Sequence, residues 1–180
     1  MKMRFLVPLL AAGAVLVGCE TTKTVREPTY QEARDNEFIP ANQAATKQLL
    51  AQLTQSVPAP STLVIASLAN VDALETSSTF GRIVSEQISA EFTKSGYRMR
   101  EMKLRNSVGI TGEGEMLLSR EIRELARSYD AQAVVVGSYA TSRDFVYINL
   151  KVVHPQSNTV LAVHDYALPM DSNNRRMLRN

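Results

Sequence analysis

Cys19, His154 and His164 are the residues best suited by type to covalent or metal chemistry, and they are few: one cysteine and two histidines in 180 residues. A hydrolytic triad needs a nucleophile, a base and an orienting acid in mutual reach, so His154 or His164 would have to be its imidazole. His154 abuts Pro155 at a turn and His164-Asp165 falls in a terminal strand, positions of solvent-facing or packing histidines. A zinc site takes three or four N, S or O ligands, which two separated histidines do not supply. Gly112-Glu113-Gly114-Glu115 lacks the lysine and spacing of a P-loop, and its two carboxylates repel an anion. No catalytic residue, metal or cofactor is therefore expected.

The thiol remains. Lys2 and Arg4 precede a short apolar run from Phe5 to Val17, the layout of a bacterial secretory signal. The run is shorter than the ~20 residues a helix needs to cross a bilayer. Its close, Leu16-Val17-Gly18-Cys19, resembles a lipobox, the cleavage and acylation signal of bacterial lipoproteins. The resemblance implies cleavage between Gly18 and Cys19, a diacylglycerol thioether on Cys19 and an acylated amine. Each buried methylene adds about 0.8 kcal/mol, and one chain binds only reversibly, so several chains make a lasting anchor. In the sorting rule of such signals an aspartate after the cysteine retains the protein in the inner membrane; Glu20 here points to the outer membrane, periplasmic face.

The chain carries 20 basic and 18 acidic residues, a formal charge of +2, and both excess cations, Lys2 and Arg4, leave with the leader. The mature chain is formally neutral, which argues against nucleic acid as a partner. With Cys19 as the only cysteine, no intramolecular disulfide is available. Residues 1–18 read as signal peptide, 19–40 as lipidated N-terminus and flexible tether, 41–169 as one domain and 170–180 as a polar, frayed tail. The tether is polar with Pro28 and Pro40 as breakers, and as a flexible coil it spans about 25 Å.

Elements follow from periodicity. Ala45, Leu49, Leu53 and Val57 mark an amphipathic helix that Pro58 and Pro60 stop. Thr62–Leu68 is a nearly continuous apolar run, as in a strand buried on both faces. Ser77-Ser78-Thr79 offers caps to a helix lined by Phe80, Ile83, Val84, Ile88 and Phe92 and ended by Ser95-Gly96. Tyr97–Met102 is a strand of mixed polarity, suited to an edge, and Leu104–Gly114 a loop. Ser119 caps a helix with Ile122, Leu125, Ala126 and Tyr129 on one side, and Ala131–Tyr139 is a second buried strand. Phe145–Val153 and Val160–Leu168 follow through tight turns. Helix-separated strands pair in parallel and tight-turn neighbours antiparallel. The expected fold is a compact α/β (α+β) domain with helices on a mixed sheet, in the order α-β-α-β-α-β-β-β.

Ala66-Ser67-Leu68-Ala69-Asn70-Val71-Asp72, Ser77-Ser78-Thr79-Phe80-Gly81-Arg82-Ile83-Val84-Ser85-Glu86-Gln87, Gly112-Glu113-Gly114-Glu115-Met116-Leu117-Leu118-Ser119-Arg120-Glu121 and His164-Asp165-Tyr166 resemble segments of the FlgO family, over Leu63 to Leu168. The resemblance implies an outer-membrane lipoprotein needed for flagellar assembly, stability or motility, with no catalytic residues to carry over. More distantly, the element order is similar to the N-terminal α/β domain of TolB and to the periplasmic domains of the curli secretion lipoprotein and of a lipoprotein activator of peptidoglycan synthases. Fold does not choose among those roles.

Polar clusters are the candidate interaction surface: Arg98, Arg100, Lys103 and Arg105, then Glu113 and Glu115, on and after the edge strand, and Arg82 and Glu86 on the helix that follows the Ser78 cap. The reading is a non-enzymatic, lipid-anchored protein with flagellar basal-body or other envelope proteins as partners and room for a homo-oligomer. The alternative is a lipoprotein regulator of an envelope enzyme such as a peptidoglycan synthase. A pore would need surplus membrane-crossing strands, which the chain lacks. Cys19→Ser is expected to leave the fold intact and to release the protein or misroute it away from the outer-membrane fraction, checked by separating inner and outer membranes; a variant still wholly in the outer-membrane fraction would refute anchoring through Cys19.

Overall fold

The computed structural model describes residues 27–74, 76–102, 108–110, 116–118 and 120–179. Gly18, Cys19, Lys103, Arg105, Gly112 to Glu115 and Ser119 lie outside the described residues. The chain divides into two units, Met1–Arg34 and Asp35–Asn180. In the first, α1 (Tyr30–Arg34) is one turn opened by a reciprocal cap. The Thr29 N–H donates to Glu32 Oε2 at 2.7 Å and the Glu32 N–H to Thr29 Oγ1 at 3.3 Å. The tether expected over 19–40 thus contains a helical turn.

The second unit begins with α2 (Phe38–Leu53), seven residues earlier than the apolar period from Ala45 indicates. Pro40 does not break it because it sits in the first turn, where backbone N–H groups have no intrahelical acceptor. Asn36 Oδ1 accepts from the Phe38 N–H at 2.9 Å, and the Phe38 ring packs edge-on against Phe80 at 5.7 Å. Residues 38–40 therefore belong to the domain. β1 (Thr62–Ala66), β2 (Ala69–Asn70), α3 (Thr79–Lys94) and β3 (Arg98–Met102) follow. The expected 104–114 loop instead contributes β4 (Val108–Ile110), which pairs antiparallel with β5 (Met116–Leu118) in a separate two-stranded ribbon. Three glycines hide this pairing from a reading by strand propensity. α4 (Arg120–Ser128), β6 (Ala133–Thr141), β7 (Phe145–Val153), β8 (Val160–Pro169) and α5 (Ser172–Leu178) complete the chain.

The tail is thus not frayed. Asp171 caps α5 by accepting from the Asn174 N–H at 2.7 Å, Asn174 is buried, and α5 packs against α3 with Met177 and Leu178 on the core. With few apolar residues it shows no period, and its cap becomes meaningful only beside α3.

The main sheet has the order β3-β1-β6-β7-β8, with β2 beside β6. β1 pairs in parallel with β3 and β6, whereas β6-β7-β8 is an antiparallel meander, the mixed sheet that the connections require. β3 is an edge strand, as its polarity suggested. One face carries Leu63, Ile65, Val135, Ile148 and Leu150 against α2 and α3, through Leu49, Leu53, Val84, Ile88 and Phe92. The other carries Val64, Ala66, Val134 and Val136 against Ile122 and Ala126 of α4. β1 and β6 are buried on both faces, which is why they read as continuous apolar runs.

The start of α3 is fixed by buried groups. Ser78 Oγ accepts from the Gly81 N–H at 3.4 Å and from the Tyr139 hydroxyl at 2.8 Å, and the Tyr139 oxygen accepts from the Ser78 N–H at 3.0 Å. A Cβ at Gly81 would lie 2.6 Å from the Leu68 carbonyl oxygen and 2.9 Å from Tyr139 Cε1. Gly96, at φ 91°, takes the left-handed turn that ends the helix. A second polar cluster joins three elements. Buried Asn42 of α2 donates to Gln87 Oε1 of α3 at 2.5 Å and accepts from the Tyr166 hydroxyl of β8. Burial raises the Tyr166 phenol well above its ordinary pKa.

Two outcomes follow. Gly81→Ala is expected to lower the unfolding free energy by about 1–3 kcal/mol through overpacking against backbone and ring, read by urea denaturation. Tyr166→Phe leaves Asn42 Oδ1 without its phenol donor, at a cost of about 1–3 kcal/mol near neutral pH. Because the folded-state phenol pKa is raised, its stabilisation is complete below the unfolded value near ~10 and falls as pH rises above it. The wild type should therefore lose up to about 1.4 kcal/mol per pH unit more than Tyr166→Phe above that value, in alkaline denaturation curves.

Candidate interaction surfaces

The pleat of β3 separates residues that lie close in sequence. Arg98, Arg100 and Met102 pair with Thr62, Val64 and Ala66, whereas Met99 and Glu101 pair with Leu63 and Ile65 on the opposite face. Arg100 rests its guanidinium 5.4 Å from the centre of the exposed Tyr129 ring, just beyond α4. Arg98 is exposed on the same face. Charged side chains on this short outer strand discourage pairing with another sheet. Lys103, Arg105, Glu113 and Glu115, expected to extend this cluster, are outside the described residues.

Glu101 turns to the α3 side. With Ile65, Ser67 and Met102 at the carboxyl ends of β1 and β3, and Arg82, Ser85 and Glu86 on α3, it lines a small pocket of about 20 Å³. This crevice lies at the carboxyl ends of two neighbouring parallel strands. Its volume accommodates about one water. Arg82 is tied down at its rim, donating from Nη1 to the Ser77 carbonyl at 2.7 Å and from Nη2 to Thr79 Oγ1 at 3.0 Å. Arg82 and Glu86 thus meet Glu101, and Arg98 and Arg100 stand across the sheet from all three.

A third surface escaped the charge-based reading. Along β6, α4 covers the second sheet face only as far as Val134 and Val136, and beyond it Ser138 and Ala140 of β6, Tyr147 and Asn149 of β7, and Asp165 and Ala167 of β8 border an open trough of about 450 Å³ with Val71. Asn149 Nδ2 donates to Asp165 Oδ1 on the neighbouring strand. Phe145, Tyr147 and Val163 are 46%, 53% and 42% exposed, so this side is apolar where a solvated face is normally polar. The sequence signal was the polar phase of β7, in which Phe145 and Tyr147 alternate with buried residues.

The histidines do not converge on a nucleophile and an acid. His154 Nδ1 accepts from the Ser157 N–H at 3.3 Å and lies 3.2 Å from Ser157 Oγ, within the β7–β8 turn. The His164 ring stacks on Tyr166, centroids 6.1 Å apart. Among the described residues no group of three or more His, Cys, Asp or Glu could hold a metal ion.

The fold is shared. The C-terminal domain of LpoB from Escherichia coli superposes with a TM-score of 0.53 at 15% identity, covering 74% of this chain and 98% of that domain. The corresponding domain from Salmonella enterica gives 0.49 at 14% identity, with coverage of 74% and 98%. The PelC dodecamer of Paraburkholderia phytofirmans gives 0.41 at 16% identity, over 61% of this chain and 72% of that one. No curated protein matches the chain in sequence. The sequence pattern of the FlgO protein family matches residues 43–173, from within α2 through β8 to the start of α5, and on that extent the chain belongs to the FlgO family.

Proposed function

We propose that this chain is a non-enzymatic lipoprotein of the outer membrane that supports flagellar assembly, stability or motility by holding a protein-interaction domain on the periplasmic face. Membership of the FlgO family over residues 43–173 carries the proposal. The lipobox-like Leu16-Val17-Gly18-Cys19 supplies the means of attachment, a covalent lipid on Cys19, with no other cofactor. No helix among the described residues is long and apolar enough to cross a membrane.

The mechanism is confinement. A domain fixed to a plane meets partners held in the same plane at a high effective concentration, so modest surface contacts suffice. The near-neutral mature chain disfavours nucleic acid, and the exposed Phe145, Tyr147 and Val163 favour contact with protein. Flagellar basal-body proteins are the proposed partners.

A clean deletion is expected to lose or destabilise its flagella and to swim poorly, with rescue by the wild-type chain and at most partial rescue by Cys19→Ser at natural expression level. Swimming assays and flagellar imaging read this. Normal flagella and swimming in the deletion would overturn the flagellar role; a pull-down then dominated by a peptidoglycan synthase would favour the regulator of an envelope enzyme.

A further inference from the structure

β8 closes one side of the main sheet, pairing with β7 alone among the described residues. The Val163 N–H donates to Gln52 Oε1 at 3.2 Å, and the Val163 carbonyl accepts from Gln52 Nε2 at 2.9 Å, so both groups point away from β7. Alternation along an antiparallel strand turns the backbone groups of Asp165, Ala167 and Pro169 outward too. The Met170 N–H, one residue beyond the Phe145–Pro169 pair, donates to the Asp144 carbonyl at 2.8 Å, which is the same phase. At the far end Pro169 has no N–H, and its outward carbonyl accepts from Asn174 Nδ2 at 2.8 Å.

A primary amide carries a donor and an acceptor side by side, so Gln52 gives Val163 the two bonds that a neighbouring strand would give. The side chain reaches β8 from the last turn of α2, and its orientation is set by a further bond from Nε2 to the Gln48 carbonyl at 3.1 Å. An unprotected strand of this length is a template for pairing with another chain, and proteins block such edges. Here the Gln52 amide closes the middle of the strand and Asn174 its end.

We infer that the outer edge of β8 is a latent self-association surface whose occupant is the same strand of a second copy, and that the Gln52 amide keeps it closed. Antiparallel pairing about a two-fold axis at His164 sets the two His164 residues opposite each other and Val163 opposite Asp165 of the second copy and the reverse, so no carboxylate faces a carboxylate. Val163 and Val160, 42% and 50% exposed, lie along the strand that would be covered. This inference stands apart from the flagellar reading.

The test uses the chain from Glu20 onward in wild-type, Gln52→Ala and Gln52→Glu forms, by sedimentation equilibrium and residue-resolved amide exchange. Gln52→Glu keeps the acceptor for the Val163 N–H but loses the donor to its carbonyl, so it opens the edge by half. Gln52→Ala is expected to associate at least tenfold more tightly than wild type, with new protection of the Asp165 amide, and Gln52→Glu to a lesser degree. Wild-type sedimentation in both variants, or added association that leaves the Asp165 amide exchanging at the wild-type rate, would overturn the inference.

Discussion

The phenol of Tyr139 crosses from the central strand β6 to the first turn of α3 and there meets Ser78, with both residues buried. The pair satisfies an N–H at the helix start that would otherwise be left in the core without an acceptor. It also determines where α3 begins, and much else depends on that point. Phe80, the second residue of α3, packs its ring 5.5 Å from Tyr139 and 5.7 Å from Phe38 of α2, so the cap aligns two helices at once. Gly81 lets the helix approach the Leu68 carbonyl, and Arg82 and Glu86 are thereby brought to the carboxyl ends of β1 and β3.

The two faces of the sheet have different fates. α2 and α3 cover one side along its length, and Tyr166, Asn42 and Gln87 lock strand to helices across it. α4 covers β1, β3, the first half of β6 and the Val153 end of β7 on the other, leaving the trough beside Tyr147 open. The outer strands are handled separately: β3 by charge, β8 by side-chain amides that occupy its backbone groups. The apolar surface left accessible is therefore a sheet face, while the hydrogen-bonding edges are guarded. A domain built this way presents side chains rather than free backbone edges at its surface.

Much of this architecture was legible beforehand. Val134-Val135-Val136 and Leu63-Val64-Ile65 announced buried strands because residues on both sides of a doubly covered sheet must be apolar. The meander β6-β7-β8 followed from tight turns, and the Ser78 cap from the residues around it. The ends of the domain were harder to read. Pro40 looked like a breaker because its place in a first turn cannot be known before the helix start is known. α5 has few apolar residues, and β4 and β5 are short strands among glycines, so neither carries a period to detect.

By itself, the sequence determined the element order, the mixed sheet, the family-bearing segments and the lipobox-like signal at Cys19, since each rests on residues adjacent in the chain. Only the tertiary structure decided which polar groups share a surface. The alternation of β3 sent Glu101 towards Arg82 and Glu86 while Arg98 and Arg100 went to the other face. The open trough and the Gln52 amide on β8 were likewise settled by packing, because a residue's exposure depends on what covers it and Gln52 meets Val163 across 111 positions of chain. Local chemistry propagates along the backbone, whereas coverage is a property of the assembled layers.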